Sequence, residues 1–318
     1  MDPITHTLAG AVVASFSGRE LSISDPIYLG AMLGSVAPDL DIVFQLKGDM
    51  CYLKYHRGFS HSIFGLGIFA FLITGLLLLF YPQAEFSTLF LWTFVGGLSH
   101  TVLDVLNSYG AKALWPFNNK KLNIGILTIF DPVLVLIMLS TIVGRFYSHL
   151  STWFGTSALI MYLVFRYLIA IKIRKILINR YGDKIIKVNV LPSMVSIWNW
   201  HFLVECNNKL IVGEMKFFSW KLKVKKIFRK QRNHPVVKAA LDSRLGKMFK
   251  EFTPIFHVFC KRKKYGHEVK FVDLRYLFKD EFIHSATGFF NKQQQLIKGL
   301  FHPYSQQKNI KVVDFSGS

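Results

Sequence analysis

The sequence predicts an all-α multi-helix transmembrane domain over residues 1–171, followed by a small α+β cytoplasmic domain over residues 172–318. Three observations carry that prediction. Hydrophobic residues make up 51% of the 318, and phenylalanine alone occurs 30 times, which is too apolar for an ordinary soluble enzyme. Charge is unevenly divided: residues 1–171 hold 9 Lys+Arg against 9 Asp+Glu, so the whole formal surplus of +20 lies in the remainder. Finally, the long runs almost free of Lys and Arg occur only in the first part, whereas the second alternates β-branched and aromatic residues over short stretches.

Four segments, 61–81, 86–107, 124–144 and 153–171, are long and apolar enough to span a bilayer, which needs about 20 helical residues. Arg166 is the sole Lys or Arg among them. Two weaker segments precede them, 5–18 and 27–46; the first is short and the second carries Pro38, Asp39 and Asp41, so this pair is expected to cross part of the hydrocarbon or form a buried hairpin. The connections alternate between basic (47–57, 108–123 and the exit at Lys172-Ile173-Arg174-Lys175) and nearly uncharged (82–85 and 145–152). By the positive-inside rule the basic loops and the tail face the cytoplasm, with Arg19 a minor exception. No cationic stretch precedes an apolar run at the start of the sequence, so a cleaved signal peptide is not expected. Cys51, Cys206 and Cys260 are odd in number and far apart, which fits isolated thiols in a reducing compartment.

In the tail, Ser196–Glu205 and Leu210–Phe218 are predicted strands joined by a tight turn at Asn207-Asn208. Thr253–Cys260 and Glu268–Leu274 form a second predicted pair around 261–266, and Pro235–Lys250 has helical spacing.

The candidate chemistry lies in the apolar part. His6 begins the first helix, Asp39 and Asp41 end the second, His56 and His61 precede the third, and His100 and Asp104 end the fourth. Asp131 starts the fifth. With helices alternating in direction, all fall at one end of the bundle, although the topology was set by Lys and Arg alone. Ionisable groups at apolar edges are costly and need a partner or a job. His100 and Asp104, at i and i+4, share a helical face. Mixed imidazole and carboxylate donors favour zinc, with manganese or iron the alternatives, over calcium, and their number suggests two ions. Individually each has a duller role: His6 as a cap or interface residue, Asp39 and Asp41 as helix terminators, Asp131-Pro132 as a helix start. Ser60 is a candidate cap for the third helix.

The motifs Met1-Asp2-Pro3-Ile4-Thr5-His6-Thr7-Leu8-Ala9-Gly10, Ala37-Pro38-Asp39-Leu40-Asp41, His56-Arg57-Gly58-Phe59-Ser60-His61-Ser62 and Gly97-Leu98-Ser99-His100-Thr101-Val102-Leu103-Asp104 occur in that order. Asn107-Ser108-Tyr109-Gly110, Trp115-Pro116-Phe117 and Phe130-Asp131-Pro132 follow. Over about residues 1–170 the chain resembles the bacterial inner-membrane metal-dependent hydrolases of the YdjM/YbcI-like group, with Ser60 where that family often has Thr. The resemblance implies a multi-helix membrane domain with metal-bound His and Asp. Its hydrolase label rests on a ligand pattern similar to that of zinc-dependent phospholipases.

The expected function is metal-assisted hydrolysis at the cytoplasmic membrane surface, on a phosphate ester or lipid-like substrate. His6, Asp39, His56, His61, His100 and Asp104 are the expected ligands. Asp41 or Asp131 would be a ligand, an orienting partner or a general base. Arg57 would hold an anionic substrate group or merely mark the positive-inside boundary. The competing class is a non-catalytic metal-binding regulator or structural protein signalling through its tail; a transporter ranks third, because no second ligand cluster lies at the other face. The basic tail is expected to contact anionic membrane lipids rather than nucleic acid.

Overall fold

The computed structural model describes residues 1–47, 57–194, 196–230, 234–253, 255–264, 266–275, 277–278, 281–302 and 310–314. His56, a predicted ligand, and Cys51 lie outside them. The chain forms two units, one over Met1–Leu46 and Tyr55–Ala170, the other taking in Ile171–Ser318.

The first unit is helical: α1 Pro3–Ala14, α2 Pro26–Val36, α3 Ile63–Phe80, α4 Phe86–Leu106, α5 Pro132–Arg145 and α6 Leu150–Tyr181, the last running on beyond Ala170. Three of these helices start with the same dipeptide. Asp2, Asp25 and Asp131 each accept hydrogen bonds from the first-turn amides, and the prolines behind them occupy the position where a missing N–H costs nothing. Helix α2 does not stop at Val36 but tightens into a 3-10 helix over Ala37–Lys47 that carries Asp39 and Asp41.

Among the described residues four helical segments are long and apolar enough to cross a membrane: Pro26–Leu46, Ile63–Phe80, Phe86–Leu106 and Leu150–Lys184. The set differs from the expected one in two places. The 27–46 segment qualifies, because its polar end continues as 3-10 helix rather than breaking. The predicted span 124–144 does not: only Pro132–Arg145 is helical, 14 residues or about 21 Å. Residues 124–127 are irregular instead, with the amides of Ile124 and Ile126 bonded to the carbonyls of Val105 and Leu106 at 2.8 Å and Leu127 in an isolated bridge with Asn107. Gly125, at φ 68°, and the Asp131-Pro132 start explain why the helix cannot begin earlier.

Close backbone approach holds α1, α2 and α4 together. A Cβ on Gly34 would lie 2.1 Å from the carbonyl oxygen of Thr93, and one on Gly96 would lie 2.2 Å from that of Ala31. Such small-residue contacts are how helices associate where no hydrophobic gain is available.

Among its described residues the second unit contains two larger antiparallel sheets and one short two-stranded pair. β1 (Ile185–Pro192), β2 (Asn199–Cys206), β3 (Lys209–Lys216) and β4 (Leu222–Arg229) form one in sequence order. Then come α7 (Pro235–Asp242) and α8 (Arg244–Phe252), β5 (Phe256–Lys263), β6 (Gly266–Asp273), the short pair β7 (Leu277–Phe278) and β8 (Glu281–Phe282), β9 (Ser285–Phe290), β10 (Leu296–His302) and β11 (Ile310–Asp314). The five-stranded sheet has the order β11-β10-β9-β6-β5. Val236, Ala240, Leu245 and Phe249 of the helices pack on Val269, Phe271, Ala286 and Phe301 of this sheet. Both predicted hairpins are present, the first closed at Asn207-Asn208 and the second pairing out to Lys263 and Gly266. The predicted helix 235–250 is two helices, because Ser243 turns extended (ψ 163°) and caps α8 by accepting from Gly246 N. His257 is a core group here: burial lowers its pKa to about 4, so it packs neutral.

Candidate metal centre

The helical unit gathers most of the predicted ligands at one end of its bundle. His6 comes from the first turns of α1, Asp39 from the 3-10 extension of α2, His61 from the 3-10 turn Phe59–His61 ahead of α3, and His100 with Asp104 from the last turns of α4. Two overlapping groups, His6/Asp39/His100 and His61/His100/Asp104, each bring one donor atom per residue within 4.8 Å of one another. His6, His61, His100 and Asp104 are fully buried.

The hydrogen bonds around the two central imidazoles fix which nitrogen faces inward. His100 Nδ1 lies 2.7 Å from the carbonyl oxygen of Ser35, which can only accept, so Nδ1 carries the proton. Ser60 Oγ donates to Asp41 Oδ2 at 3.1 Å, so it accepts from His61 Nδ1 at 2.9 Å. In both rings the unprotonated nitrogen is therefore Nε2, and these two atoms face each other across 3.0 Å. Two lone pairs at that distance repel unless a cation lies between them or one ring takes a second proton. Carboxylates complete the surroundings. Asp39 Oδ1 is 3.6 Å from each Nε2, and Asp104 Oδ2 is 3.3 Å from that of His61 and 3.8 Å from that of His100. Ligand atoms on one tetrahedral ion at 2.0–2.1 Å stand roughly 3.3 Å apart, so the group His61, His100 and Asp104 has the spacing and donor chemistry that could hold one metal ion. His6 Nδ1 is moreover buried without a hydrogen-bond partner among the described residues, and Asp104 Oδ2 is met by an ion pair with Arg57 rather than by a hydrogen bond.

The remaining predicted residues take other places. Asp41 reaches the opposite side of His61, 3.7 Å from Nδ1, and also accepts from Arg57 N at 3.0 Å. It therefore stands on the Nδ1 side of His61, bonded through Ser60, rather than beside Nε2. Ser60 does not cap α3; Ser62 does, accepting from Gly65 N at 3.0 Å, which leaves Ser60 free to hold His61. Arg57, at φ 61°, turns its guanidinium inward to Asp104, with Nε 3.1 Å from Oδ2, and lies over the Tyr109 ring. Asp131 belongs to neither ligand group; it caps α5 and accepts from Tyr162 OH at 2.8 Å.

Some participants were not foreseen. The Met1 α-amino group donates to Asp104 Oδ1 and, at 2.9 Å, to His6 Nε2. His6 stacks on His100 with ring centroids 3.6 Å apart. The Ser35 carbonyl carried no sequence signal, since any residue supplies one. Ser60 did carry one, being adjacent to His61. Replacing Ser60 with alanine is expected to weaken metal affinity by about 10–100-fold, the usual cost of removing a partner that orients a ligand imidazole. Titration of the purified variant with zinc against a competing chelator checks this.

Comparison with known proteins bears on this unit and on the second. Residues 1–174 match the YdjM inner membrane protein family, and residues 235–313 match the YfhP C-terminal alpha/beta plait domain. The chain is 29% identical over 304 residues to the protein YfhP of Bacillus subtilis (strain 168), described as uncharacterized, and the match covers 89% of each. No solved structure matches. The helical unit with its paired histidines is thus the part through which the chain belongs to the YdjM inner membrane protein family.

Proposed function

We propose that this multi-pass protein of the bacterial inner membrane holds one divalent cation, zinc first, between His61 and His100, and hydrolyses a phosphate ester or lipid-like substrate at the cytoplasmic surface. The observation that carries the reading is the approach of the two Nε2 atoms to 3.0 Å, with the Asp39 and Asp104 carboxylates 3.6 and 3.3 Å from that of His61. Asp39 and Asp104 complete the ligand set, and His6 lies beside it. The two donor groups share His100, whose Nδ1 is committed to Ser35, so a single ion fits better than the two that the ligand count suggested. Bound there, the cation would supply Lewis acidity to an ester oxygen and would acidify water. The protein's own contribution is orientation: Asp41 through Ser60 fixes His61, Ser35 fixes His100, and Arg57 balances the charge of Asp104. Asp39, with 24% of its side chain exposed, is the side from which water and substrate arrive. What supports a cytoplasmic site and tail is the alternation of basic connections with ones holding at most one Lys or Arg.

Burial of the other ligands favours a second reading, because closed sites are the mark of structural metals. In that case the protein is a metal-dependent regulator or scaffold. The protein in detergent, assayed for bound metal by mass spectrometry and for hydrolysis of phosphate-ester and phospholipid substrates, separates the two. Hydrolysis that vanishes in Asp39→Asn supports the enzyme; bound metal with no hydrolysis of either substrate class supports the scaffold.

A further inference from the structure

The second unit carries an aromatic patch outside its cores. The β3–β4 turn reads Phe217-Phe218-Ser219-Trp220-Lys221. Phe218 is 74% exposed, and Trp198, just before β2, is 43% exposed. The rings are packed together: Trp198 lies 5.1 Å from Phe218 and 6.0 Å from Phe217, and Phe217 lies 5.4 Å from Trp220. Trp220 sits at φ 50°, a conformation bulky residues rarely adopt and one that tends to persist where it serves a site. Exposed lysines, Lys216, Lys221 and Lys223, flank the turn. A cluster of large exposed rings marks an interaction surface.

The same unit contains the clue to the partner. Lys172 Nζ lies 3.9 Å from the centroid of the Trp220 ring. Lys172 is the first cation after the apolar stretch of α6, in which Arg166 is the sole charge between residues 150 and 171 and is buried, donating to the Ile126 carbonyl. That stretch is about 33 Å long at 1.5 Å per residue, close to the thickness of a bilayer's hydrocarbon core. Lys172 therefore follows directly on the end of the apolar stretch of α6, and within the same unit it lies against the Trp220 ring.

We propose that Trp198, Phe217, Phe218 and Trp220 insert into the headgroup layer of the leaflet at which α6 exits, with Lys216, Lys221 and Lys223 meeting anionic lipid phosphates. Tryptophan and phenylalanine suit that layer because an apolar ring can bury there while polar edges and neighbouring ammonium groups stay hydrated. The inference does not rest on the metal centre. It gives the basic tail a defined lipid-facing edge rather than a diffuse attraction.

The test is a nitroxide on Phe218→Cys, with Ser219→Cys as a second probe, in the full chain with its three cysteines changed to serine. The protein is placed in nanodiscs of phosphatidylcholine with phosphatidylglycerol. Collision with oxygen and shielding from a water-soluble nickel chelate are expected at both probes. Free collision with the nickel chelate would overturn the proposal by placing the turn in water. Shielding from both reagents would overturn it by showing the patch covered by protein.

Discussion

Replacing His100 with alanine is expected to abolish stoichiometric metal binding, weakening affinity by more than the roughly 100-fold that loss of an orienting partner costs. His100 is the residue common to both donor groups, and its Nε2 faces that of His61 at 3.0 Å. Its removal leaves three donors, the Nε2 of His61 and the carboxylates of Asp39 and Asp104, one short of a four-coordinate set. The same change empties a buried site beside His6 and strips the Ser35 carbonyl of its donor, so some stability is lost as well. Metal content measured alongside helicity by circular dichroism separates the effects. A folded His100→Ala protein that retains one equivalent of zinc would remove His100 from the ligand set.

The division into an apolar helical part and a basic α+β part was legible because it rests on composition and periodicity, which operate locally. The clustered His and Asp residues were legible for a related reason: an ionisable residue at the edge of an apolar run is costly wherever it occurs, and His100 and Asp104 keep helical spacing. What stayed hidden depends on long-range contact. Nothing near Ser35 shows that its carbonyl will meet a side chain 65 residues away. Asp39 and Asp41 look equivalent in sequence, yet they reach opposite nitrogens of the same imidazole. Residues 124–131 looked like the start of a span because Ile124, Ile126 and Leu127 are apolar. They are apolar because Ile126 and Leu127 fill the core around Leu103 and Leu134. In the tail, β1 and β4 are the outer strands of their sheet, and in β4 the lysines Lys223, Lys225 and Lys226 obscured the alternation by which a strand is recognised.

Gly96→Ala is expected to destabilise the helical unit by about 1–3 kcal/mol, as overpacking of a close contact does, and to weaken metal binding with it. In an exposed helix the same substitution would gain up to roughly 1 kcal/mol from propensity. Here the new Cβ would meet the Ala31 carbonyl at 2.2 Å, and because that atom is backbone, α2 and α4 must move apart. Gly96 lies one turn before His100, and Ser35 lies one turn beyond Ala31, so separation at this contact lengthens the 2.7 Å bond that holds His100 in its ligand tautomer. Gly67 supplies the control: on α3 a Cβ there meets nothing within 4 Å, so Gly67→Ala should leave both properties unchanged or raise stability. Thermal unfolding and zinc titration of the two variants in the same detergent test the coupling. If Gly96→Ala melted with wild type and bound zinc as tightly, the close packing of α2 on α4 would not be what sets the geometry of the paired imidazoles.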